Sequence, residues 1–254
     1  MLIPVKTEEE LGYMRESGSV TALVLKELED FIRPGITTMD IDRFAEDIIR
    51  SHGMEPAFKG YCGFPATVCA SVNDEIVHGI PSDSRVLEDG DIVSVDVGSI
   101  YKGYVSDAAR TYPVGDISNA AKLLIRAAEE SFFEGLEYCR KGCRISDISS
   151  AVQKKAEEYG FGVVREFCGH GVGRKMHEPP QIPNFGRAGR GPRIAKGMCL
   201  AVEPMITEGS YSCKKLENGW TVVTRDGGNA AHYENSVAVT DGEPELLTLI
   251  GKVQ

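Results

Sequence analysis

The sequence predicts one α/β (α+β) domain built from two similar halves. Helical and strand patterns alternate along 254 residues, and no low-complexity linker separates them. A strand pair at 92–112 carries two aspartates, and a single offset relates the second half of the chain to the first. A chain of this length can bury a substantial core as one unit. We expect one domain over 1–254, with internal halves at roughly 1–115 and 116–254.

Each half opens with two helices. Capping-box patterns start the first pair at Thr7 and Thr37. The apolar pattern of the first helix ends at Arg33, before a Pro-Gly pair, and Gly53 closes the second helix. Residues 118–160 repeat this plan: a long helix ends at a glycine, and a second helix begins after it and ends at another glycine. We therefore expect two matched helix pairs.

The two halves match at an offset of 107 residues. GDIVSVD (90–96) falls on GMCLAVE (197–203) without a gap, so that Asp96 matches Glu203. An acid that matches an acid in two matched strands suggests a pseudo-twofold axis, with each half giving a carboxylate to a shared centre. Further matched pairs are Arg33 with Arg140, Gly35 with Gly142, Asp40 with Asp147, Ile41 with Ile148, and Gly53 with Gly160.

The segment IVSVDVGSIYKGYVSDAARTY (92–112) predicts a β-hairpin with its turn at Lys102-Gly103. With that turn, Asp96 and Asp107 are diagonal neighbours on one face, whereas a turn one residue earlier would place them directly opposite. In either register the carboxylates lie roughly 5 to 8 Å apart, where they repel each other and lose hydration. A metal ion between them would relieve this cost; an exposed or backbone-capped aspartate is the alternative.

The second half offers two further acids, Glu203 and Glu234. WTVVT (220–224) and AAHYENSVAVT (230–240) flank a polar RDGGN turn and predict a second hairpin, with Glu234 in its return strand. A single acid in a strand usually belongs to the polar face of the sheet. Four acids at paired positions favour a shared metal centre instead.

Composition argues against several classes of protein. The formal net charge of -10 disfavours a general surface for DNA or RNA. The segment MLIPVKTEEE contains no apolar core, so no secretory signal is expected, and no run of about 18 apolar residues predicts a membrane span. The seven cysteines form no C-x-x-C pair, and we expect reduced thiols in the cytoplasm.

The five histidines can be weighed one by one. His170 lies between glycines in FCGHGVGRKMHEPP, and glycines let the backbone approach a metal or substrate closely, although a flexible loop is the alternative. His232 lies two residues before Glu234 and could share its face, but we expect an ordinary strand residue. His52 ends a helix and is expected at the surface. The other two are His78, in SVNDEIVHGIP, and His177.

Five segments, in this order, resemble the type I methionine aminopeptidases of metallopeptidase family M24: VNDEIVHGIP, DVGSIYKGYVSDAARTY, CGHGVGRKMHEPP, LAVEPM and HYENSVAVT. The resemblance covers nearly the whole chain. It implies the pita-bread fold, an α/β architecture with pseudo-twofold halves, which agrees with the repeat. It also implies a cytoplasmic monomer that removes the initiator methionine from nascent polypeptide N-termini with a small second residue.

The resemblance implies a centre of two divalent metal ions with five ligands: Asp96, Asp107, His170, Glu203 and Glu234. Carboxylate oxygens and one imidazole suit Mn, Fe, Co or Zn alike, so the sequence does not select among these metals. Two ions balance the charge of four carboxylates, with Asp107 and Glu234 as the bridges. They would convert a bridging water into the hydroxide that attacks the first peptide bond.

The same resemblance gives roles to other residues. Glu203 is the expected general base and acid, while His78 and His177 would hydrogen-bond the scissile amide and stabilise the tetrahedral intermediate. The methionine pocket should be apolar and narrow. Its lining residues would be Tyr61, Cys69 and Trp220. Cys62 and Met176 stand where the family often has a histidine and an aromatic residue, which affects the rim of the pocket and not the metal ligands.

Three other assignments compete with this one. Prolidases and aminopeptidase P share the fold and ligands but normally carry an N-terminal domain, whereas this chain starts on its first helix. Type II methionine aminopeptidases carry a helical insertion, for which 173–203 leaves no room. A metal-free binding protein of the same fold should have lost a ligand, and all five positions are kept.

A partner is suggested by one basic segment. NFGRAGRGPRIAKG (184–197) concentrates four cationic side chains in an otherwise acidic chain. A solvated glycine-rich loop is the simpler interpretation, and a contact with ribosomal RNA, where nascent chains emerge, is the sharper one.

Overall fold

The structure is a computed structural model that describes residues 2–250. The helices in this part are α1 (Glu8–Phe31), α2 (Thr38–Ser51), α3 (Asn119–Leu136) and α4 (Ile145–Glu158). The strands are β1 (Glu55–Pro56), β2 (Val68–Val72), β3 (Glu75–Val77), β4 (Ile92–Tyr101), β5 (Tyr104–Pro113), β6 (Gly162–Val163), β7 (Cys168–Gly171), β8 (Glu178–Pro183), β9 (Cys199–Val202), β10 (Met205–Thr207), β11 (Cys213–Lys215), β12 (Val222–Thr224), β13 (Ala230–His232), β14 (Asn235–Ala238) and β15 (Glu245–Leu246).

The strands form small sheets in which the spatial order differs from the order along the chain, and helices pack against these sheets. One sheet has the order β1-β4-β2, with β5 paired to β4, and another has the order β15-β14-β9-β7-β8. Shorter sheets combine β13-β10-β6 and β11-β12-β3. Helices α1 and α2 pack on the first of these sheets, and α3 packs on α4 and on β13. The predicted α/β class is confirmed.

The first helix shows how the sequence sets its own ends. Thr7 Oγ1 accepts from the Glu10 N–H at 3.3 Å, and the Glu10 carboxylate accepts from the Thr7 N–H at 2.9 Å, which confirms the capping box. The helix ends at Phe31, short of the predicted end at Arg33. Ile32 is already extended, and Pro34 disfavours helical geometry at the residue before it.

The internal repeat is present in the structure. Helices α2 and α4 each contain 14 residues and are related by the offset of 107. The same offset relates two isolated β-bridges, Thr37 with Val86 and Arg144 with Arg193. It also relates the first residue of β4 to the first residue of β9. Secondary structure therefore repeats even where side chains differ.

The hairpin of β4 and β5 has the predicted register. The turn residues Lys102-Gly103 both have positive φ, 48° and 78°, as a two-residue type I′ turn requires. Asp96 pairs with Ala109, and Asp107 pairs with Gly98. The two aspartates are therefore diagonal neighbours on one face, and the alternative register is wrong.

The second predicted hairpin, between 220–224 and 230–240, is wrong. Strand β12 pairs with β11 and β3, whereas β13 pairs with β10 and β14 pairs with β9. The Thr224 N–H donates to the carbonyl of Asp74 at 2.9 Å, and its hydroxyl donates to the carbonyl of Gly228 at 2.8 Å, so the turn closes on itself. Glu234 consequently lies between β13 and β14, where the chain crosses from one sheet to another.

Each half has its own apolar core, and a third cluster joins them. Ile41 and Val95 are fully buried in the first half, and Leu124 and Leu200 are fully buried in the second. The third cluster takes residues from both halves, among them Cys69, Met176 and Ala201. This shared cluster lies beside the acids and forms one wall of the pocket described below.

Two further features of the structure concern membrane-spanning helices and the state of the cysteines. Over residues 2–250, no helix is both long and apolar enough to cross a membrane. All seven cysteines lie in this part of the chain and are free thiols.

Alanine at either of two matched glycines should destabilise the protein to a similar extent. Gly35 and Gly142 have φ of +93° and +97°, a region that costs an L-residue about 1–2 kcal/mol. Within residues 2–250, a Cβ at either site meets no atom within 4 Å, so strain alone acts. Gly12→Ala, inside α1, should instead stabilise by about 0.5–1 kcal/mol. Urea unfolding measures the change in unfolding free energy for all three variants. A change of the same sign in Gly12→Ala and in the two matched variants would contradict the expectation.

Candidate metal centre and pocket

The two halves are joined by hydrogen bonds beside the acids. Ala109 and Glu234 exchange two backbone hydrogen bonds, of 2.9 and 3.3 Å. Ser236 Oγ accepts from the Asp107 N–H at 3.0 Å and donates to the Asp107 carbonyl at 2.9 Å. Because strand residues alternate faces, this pairing brings the side chains of Asp107 and Glu234 to the same side.

Glu203 and His170 come from neighbouring segments of the β9 sheet. Glu203 follows the last residue of β9, and its carbonyl accepts from the Asn184 side-chain amide at 2.8 Å. His170 lies on β7 opposite Ala201, and its Nε2 is 3.5 Å from Glu203 Oε1 and 3.6 Å from Asp107 Oδ2. The imidazole therefore points into the group of acids.

The imidazole of His170 is held in its neutral form, with its Nε2 lone pair directed towards the acids. Its Nδ1 lies 2.9 Å from the carbonyl oxygen of Gly171, which positions an Nδ1–H to donate there and leaves the Nε2 lone pair facing the acids. Burial is the main cause that lowers the pKa of His170 to about 4, and the neighbouring His177 would oppose a second positive charge there. A neutral imidazole with its second nitrogen hydrogen-bonded is the form in which histidine binds metals.

The four acids carry more negative charge than the protein around them offsets. Burial raises the pKa of Asp107 to about 7. Burial and then repulsion from Asp107 raise the pKa values of Asp96, Glu203 and Glu234 well above their usual range. Buried carboxyl groups in such close proximity stay ionised only with cations among them.

Several buried polar atoms at this site have no hydrogen-bond partner within residues 2–250. They are Asp96 Oδ1, Asp107 Oδ1, Glu234 Oε1 and His232 Nε2. A buried acceptor without a partner costs about 1–3 kcal/mol, more if charged, so four in one place require a ligand. Ligand atoms of Asp107, His170 and Glu234 lie within 4.8 Å of one another, as do those of Asp96, His232 and Glu234. The residues present thus fit two divalent metal ions, with Glu234 common to both groups.

A cavity of about 350 Å³ opens directly onto the acids. All ten residues that the sequence predicts for the site line it: Tyr61, Cys69, His78, Asp96, Asp107, His170, His177, Glu203, Trp220 and Glu234. Its other lining residues are Phe58, Cys62, Phe64 and Met176. An apolar cavity with a few converging polar groups is the usual form of a small-ligand site.

Aromatic rings form part of the cavity wall. The Trp220 ring meets Phe64 edge-on, with centroids 5.1 Å apart, and meets His78 edge-on at 6.3 Å. His177 lies between Tyr61, whose hydroxyl is 2.9 Å from its Nδ1, and His170, whose ring centroid is 4.3 Å away. His78 has a φ of +59°, a backbone conformation uncommon outside glycine that aims its side chain at the cavity.

Burial keeps the other two histidines of the cavity, His78 and His177, neutral. It lowers the pKa of His78 to about 4 and lowers the pKa of His177 as well. Neutral imidazoles can donate one hydrogen bond without adding a full positive charge beside a substrate amine.

Three residues at the site were not expected from the sequence: Phe58 and Phe64 in the cavity lining, and His232 beside the acids. His232 is 2% exposed and its Nε2 is 3.5 Å from Glu234 Oε2, although we predicted an ordinary strand histidine. The spacing of two residues from Glu234 was the available signal. It could not decide the matter, because the chain changes sheets between these two residues.

The chain is similar to known proteins over nearly its whole length. Residues 12–241 match the model of metallopeptidase family M24. A methionine aminopeptidase of Clostridium acetobutylicum is 52% identical over 98% of this chain and 99% of its own. A crystal structure of methionine aminopeptidase from Thermotoga maritima has a TM-score of 0.97 and 42% identity, covering 98% of this chain and 100% of its own.

A more distant structure shares the fold alone. An Xaa-Pro dipeptidase from Bacillus anthracis has a TM-score of 0.78 at 24% identity, over 98% of this chain and 63% of its own. The pita-bread fold predicted from the sequence is thus shown, and the sequence similarity lies on the methionine aminopeptidase side. This chain belongs to metallopeptidase family M24 and, within it, to the methionine aminopeptidases.

Proposed function

We propose that the protein is a methionyl aminopeptidase that removes the N-terminal methionine from peptides and nascent chains with a small second residue. The observation that carries this proposal is the arrangement of two buried acids, Asp107 and Glu234, two half-buried acids, Asp96 and Glu203, and His170 along an apolar cavity. The cavity would take the methionine side chain and the acids would hold the metal. The bond to be cleaved then lies between them.

Asp96, Asp107, His170, Glu203 and Glu234 would hold two divalent ions, each chosen from Co, Mn, Fe or Zn. The formal charges of two divalent ions and four carboxylates balance. Glu234 belongs to both groups of ligand atoms, and this supports its proposed role as a bridge beside Asp107. When bound, the ions would lower the pKa of water towards neutrality and polarise the first peptide carbonyl.

The remaining chemistry belongs to the side chains. Glu203 would take the proton of the attacking water and deliver it to the leaving amine, for which a carboxyl with a raised pKa is suited. His177 and His78 would donate hydrogen bonds to the scissile amide and to the oxyanion that develops from its carbonyl. Tyr61, through its contact with His177 Nδ1, would fix the orientation of that ring.

Trp220→Ala should weaken substrate binding through the side-chain pocket. The only tryptophan of the chain packs on Phe64 and lines the cavity, so its removal opens the pocket to water. We expect kcat/KM for Met-Ala-Ser to fall about 10- to 100-fold, mainly through KM. Steady-state kinetics measures this, with Trp220→Phe as the control that keeps an apolar ring. A fall confined to kcat would contradict a role in methionine binding.

Peptide hydrolysis tests the proposed function directly. Metal-stripped enzyme, re-supplied with each metal in turn, is offered Met-Ala-Ser beside Ala-Pro and Gly-Pro peptides. We expect metal-dependent release of methionine only, lost in Asp107→Ala and kept in Glu217→Gln, which changes an exposed acid in the second half of the chain. Cleavage confined to the proline peptides would assign a prolidase activity. No cleavage with any metal would favour a binding protein.

We also propose a location and a partner. Free thiols at all seven cysteines support a location in the reducing cytoplasm, where we propose that the protein is a monomer. The basic residues of 184–197 are Arg187, Arg190, Arg193 and Lys196. All four side chains are exposed. Arg193 donates to the Gly142 carbonyl at 3.1 Å and Lys196 pairs with Asp241 at 2.6 Å, whereas within residues 2–250 Arg187 and Arg190 make no ion pair. These last two are the candidates for a contact with ribosomal RNA.

Replacing Arg187 and Arg190 together should weaken binding to ribosomes. Arg187→Ala with Arg190→Ala removes two phosphate contacts, so co-sedimentation should fall and depend less steeply on salt. Arg33→Ala with Lys122→Ala removes the same charge from exposed positions elsewhere. Equal sedimentation of the two double variants would remove the idea.

A further inference from the structure

We propose that His232 is a sixth protein ligand and gives a nitrogen donor to the ion held by Asp96 and Glu234. This inference rests on the two-metal centre proposed above and deepens it. In place of one ion with a histidine and one with oxygen ligands alone, each ion would have one imidazole. His170 would serve the ion beside Asp107 and Glu203, and His232 would serve the other.

The first support is the position of the imidazole. His232 Nε2 lies 3.5 Å from Glu234 Oε2, and it shares a group with Asp96 and Glu234 whose ligand atoms all lie within 4.8 Å of one another. The ring is 2% exposed, so water from outside does not satisfy it. A metal at the common centre of these three atoms is the one partner that all of them can share.

The second support is an unmet hydrogen-bonding need. Over residues 2–250, His232 Nε2 is buried without a hydrogen-bond partner, and so is Glu234 Oε1. If Nε2 carries the proton, 3.5 Å is too long for a charge-assisted hydrogen bond to Glu234. If Nε2 carries the lone pair, it faces a carboxylate that also carries lone pairs. A cation between the two groups satisfies both.

The third support is the rigidity of the backbone at this residue. The His232 N–H donates to Thr111 Oγ1 at 2.9 Å, and the same hydroxyl donates to the His232 carbonyl at 2.9 Å. On the other side, His232 pairs with Met205 across β13 and β10. The ring is thus presented from a backbone fixed on both edges, as a preorganised ligand requires.

The chemical consequence is a change in metal preference. A nitrogen donor raises affinity for Fe, Co and Zn relative to Mn, which favours oxygen ligands. His232→Gln keeps a polar side chain of similar reach but removes the imidazole. Since neighbouring groups at a metal site commonly change affinity about 10- to 100-fold, a loss of at least this size is expected for one of the two ions.

The test uses metal-stripped protein loaded with Co²⁺ alone. X-ray absorption fine structure of the wild type should show about one imidazole per cobalt, and His232→Gln should show about half as many. Calorimetric titration should show one of the two Co²⁺ ions bound about 10- to 100-fold more weakly in His232→Gln. His52→Gln, which changes an exposed histidine at the end of α2, should match the wild type in both measurements.

The possible results separate this inference from the proposed function. About half an imidazole per cobalt in the wild type would overturn the inference even if every variant failed to fold. Unchanged affinity and imidazole content in His232→Gln would overturn it too, while methionine release by the wild type left the proposed function standing. A wild type that binds none of Co²⁺, Mn²⁺, Fe²⁺ and Zn²⁺ would overturn both.

Discussion

Glu203→Gln is expected to lower kcat for Met-Ala-Ser about 10²- to 10⁴-fold, the usual range for loss of a positioned proton-transfer group. Glutamine can still offer an oxygen to a metal, but it cannot take a proton from water or pass one to the leaving amine. Each tenfold loss is about 1.4 kcal/mol of transition-state stabilisation. Because KM reports mainly on the apolar pocket, it should change little.

Two measurements distinguish proton transfer from loss of metal. The bound metal of Glu203→Gln should remain above that of Asp107→Asn, which removes a carboxylate proposed to hold both ions. The pH profile of kcat should lose the limb due to Glu203, whereas a purely structural change would leave its shape intact. Glu217→Gln is the control, since it removes an exposed acid from the same half. Activity within tenfold of the wild type would remove Glu203 from its proposed role.

The metal-free protein is expected to lose stability as pH rises from about 7 to about 8. Burial raises the pKa of Asp107 to about 7 and raises the pKa values of Asp96, Glu203 and Glu234 well above their usual range. In the folded protein these acids therefore keep protons that the unfolded chain has already released. Each retained proton costs about 1.4 kcal/mol of unfolding free energy per pH unit. Asp107 is about half deprotonated at about pH 7, so between about pH 7 and 8 it contributes a fraction of that amount, to which the other three acids add.

The sign differs from that of the buried histidines. His78 and His170 have pKa values lowered to about 4, and His232 to about 3, so their contribution is present above the unfolded value of about 6.5 and is lost as pH falls. Between about pH 7 and 8 that contribution is nearly complete. The acids therefore determine the slope in this interval, and the slope is negative.

Urea unfolding in the presence of a chelator measures this slope. Asp107→Asn removes one titrating group, so it should make the slope shallower and raise stability at about pH 8, although it abolishes activity. Saturating Mn²⁺ should raise stability and remove the fall with pH, because bound cations keep the carboxylates ionised. A metal-free wild type whose stability rises with pH would contradict the charge distribution described above.

The sequence predicted much of the site because its signals are local. Alternation in 92–112 and the Lys102-Gly103 turn predict the register of one hairpin, and that register alone fixes Asp96 and Asp107 on one face. The helix boundaries depend on caps within a few residues, and the capping boxes at Thr7 and Thr37 are present in the structure. These features need no knowledge of the rest of the chain.

The sequence by itself also determined the repeat, since the offset of 107 residues relates caps, glycines and strands directly. Only the tertiary structure decided how 220–240 pairs. A strand with apolar alternation has no preferred neighbour until the sheets assemble, and here β12, β13 and β14 each join different partners. The position of His232 depends on that assembly. Its imidazole reaches the acids because the chain crosses between sheets next to Glu234, a contact set by packing of the two halves.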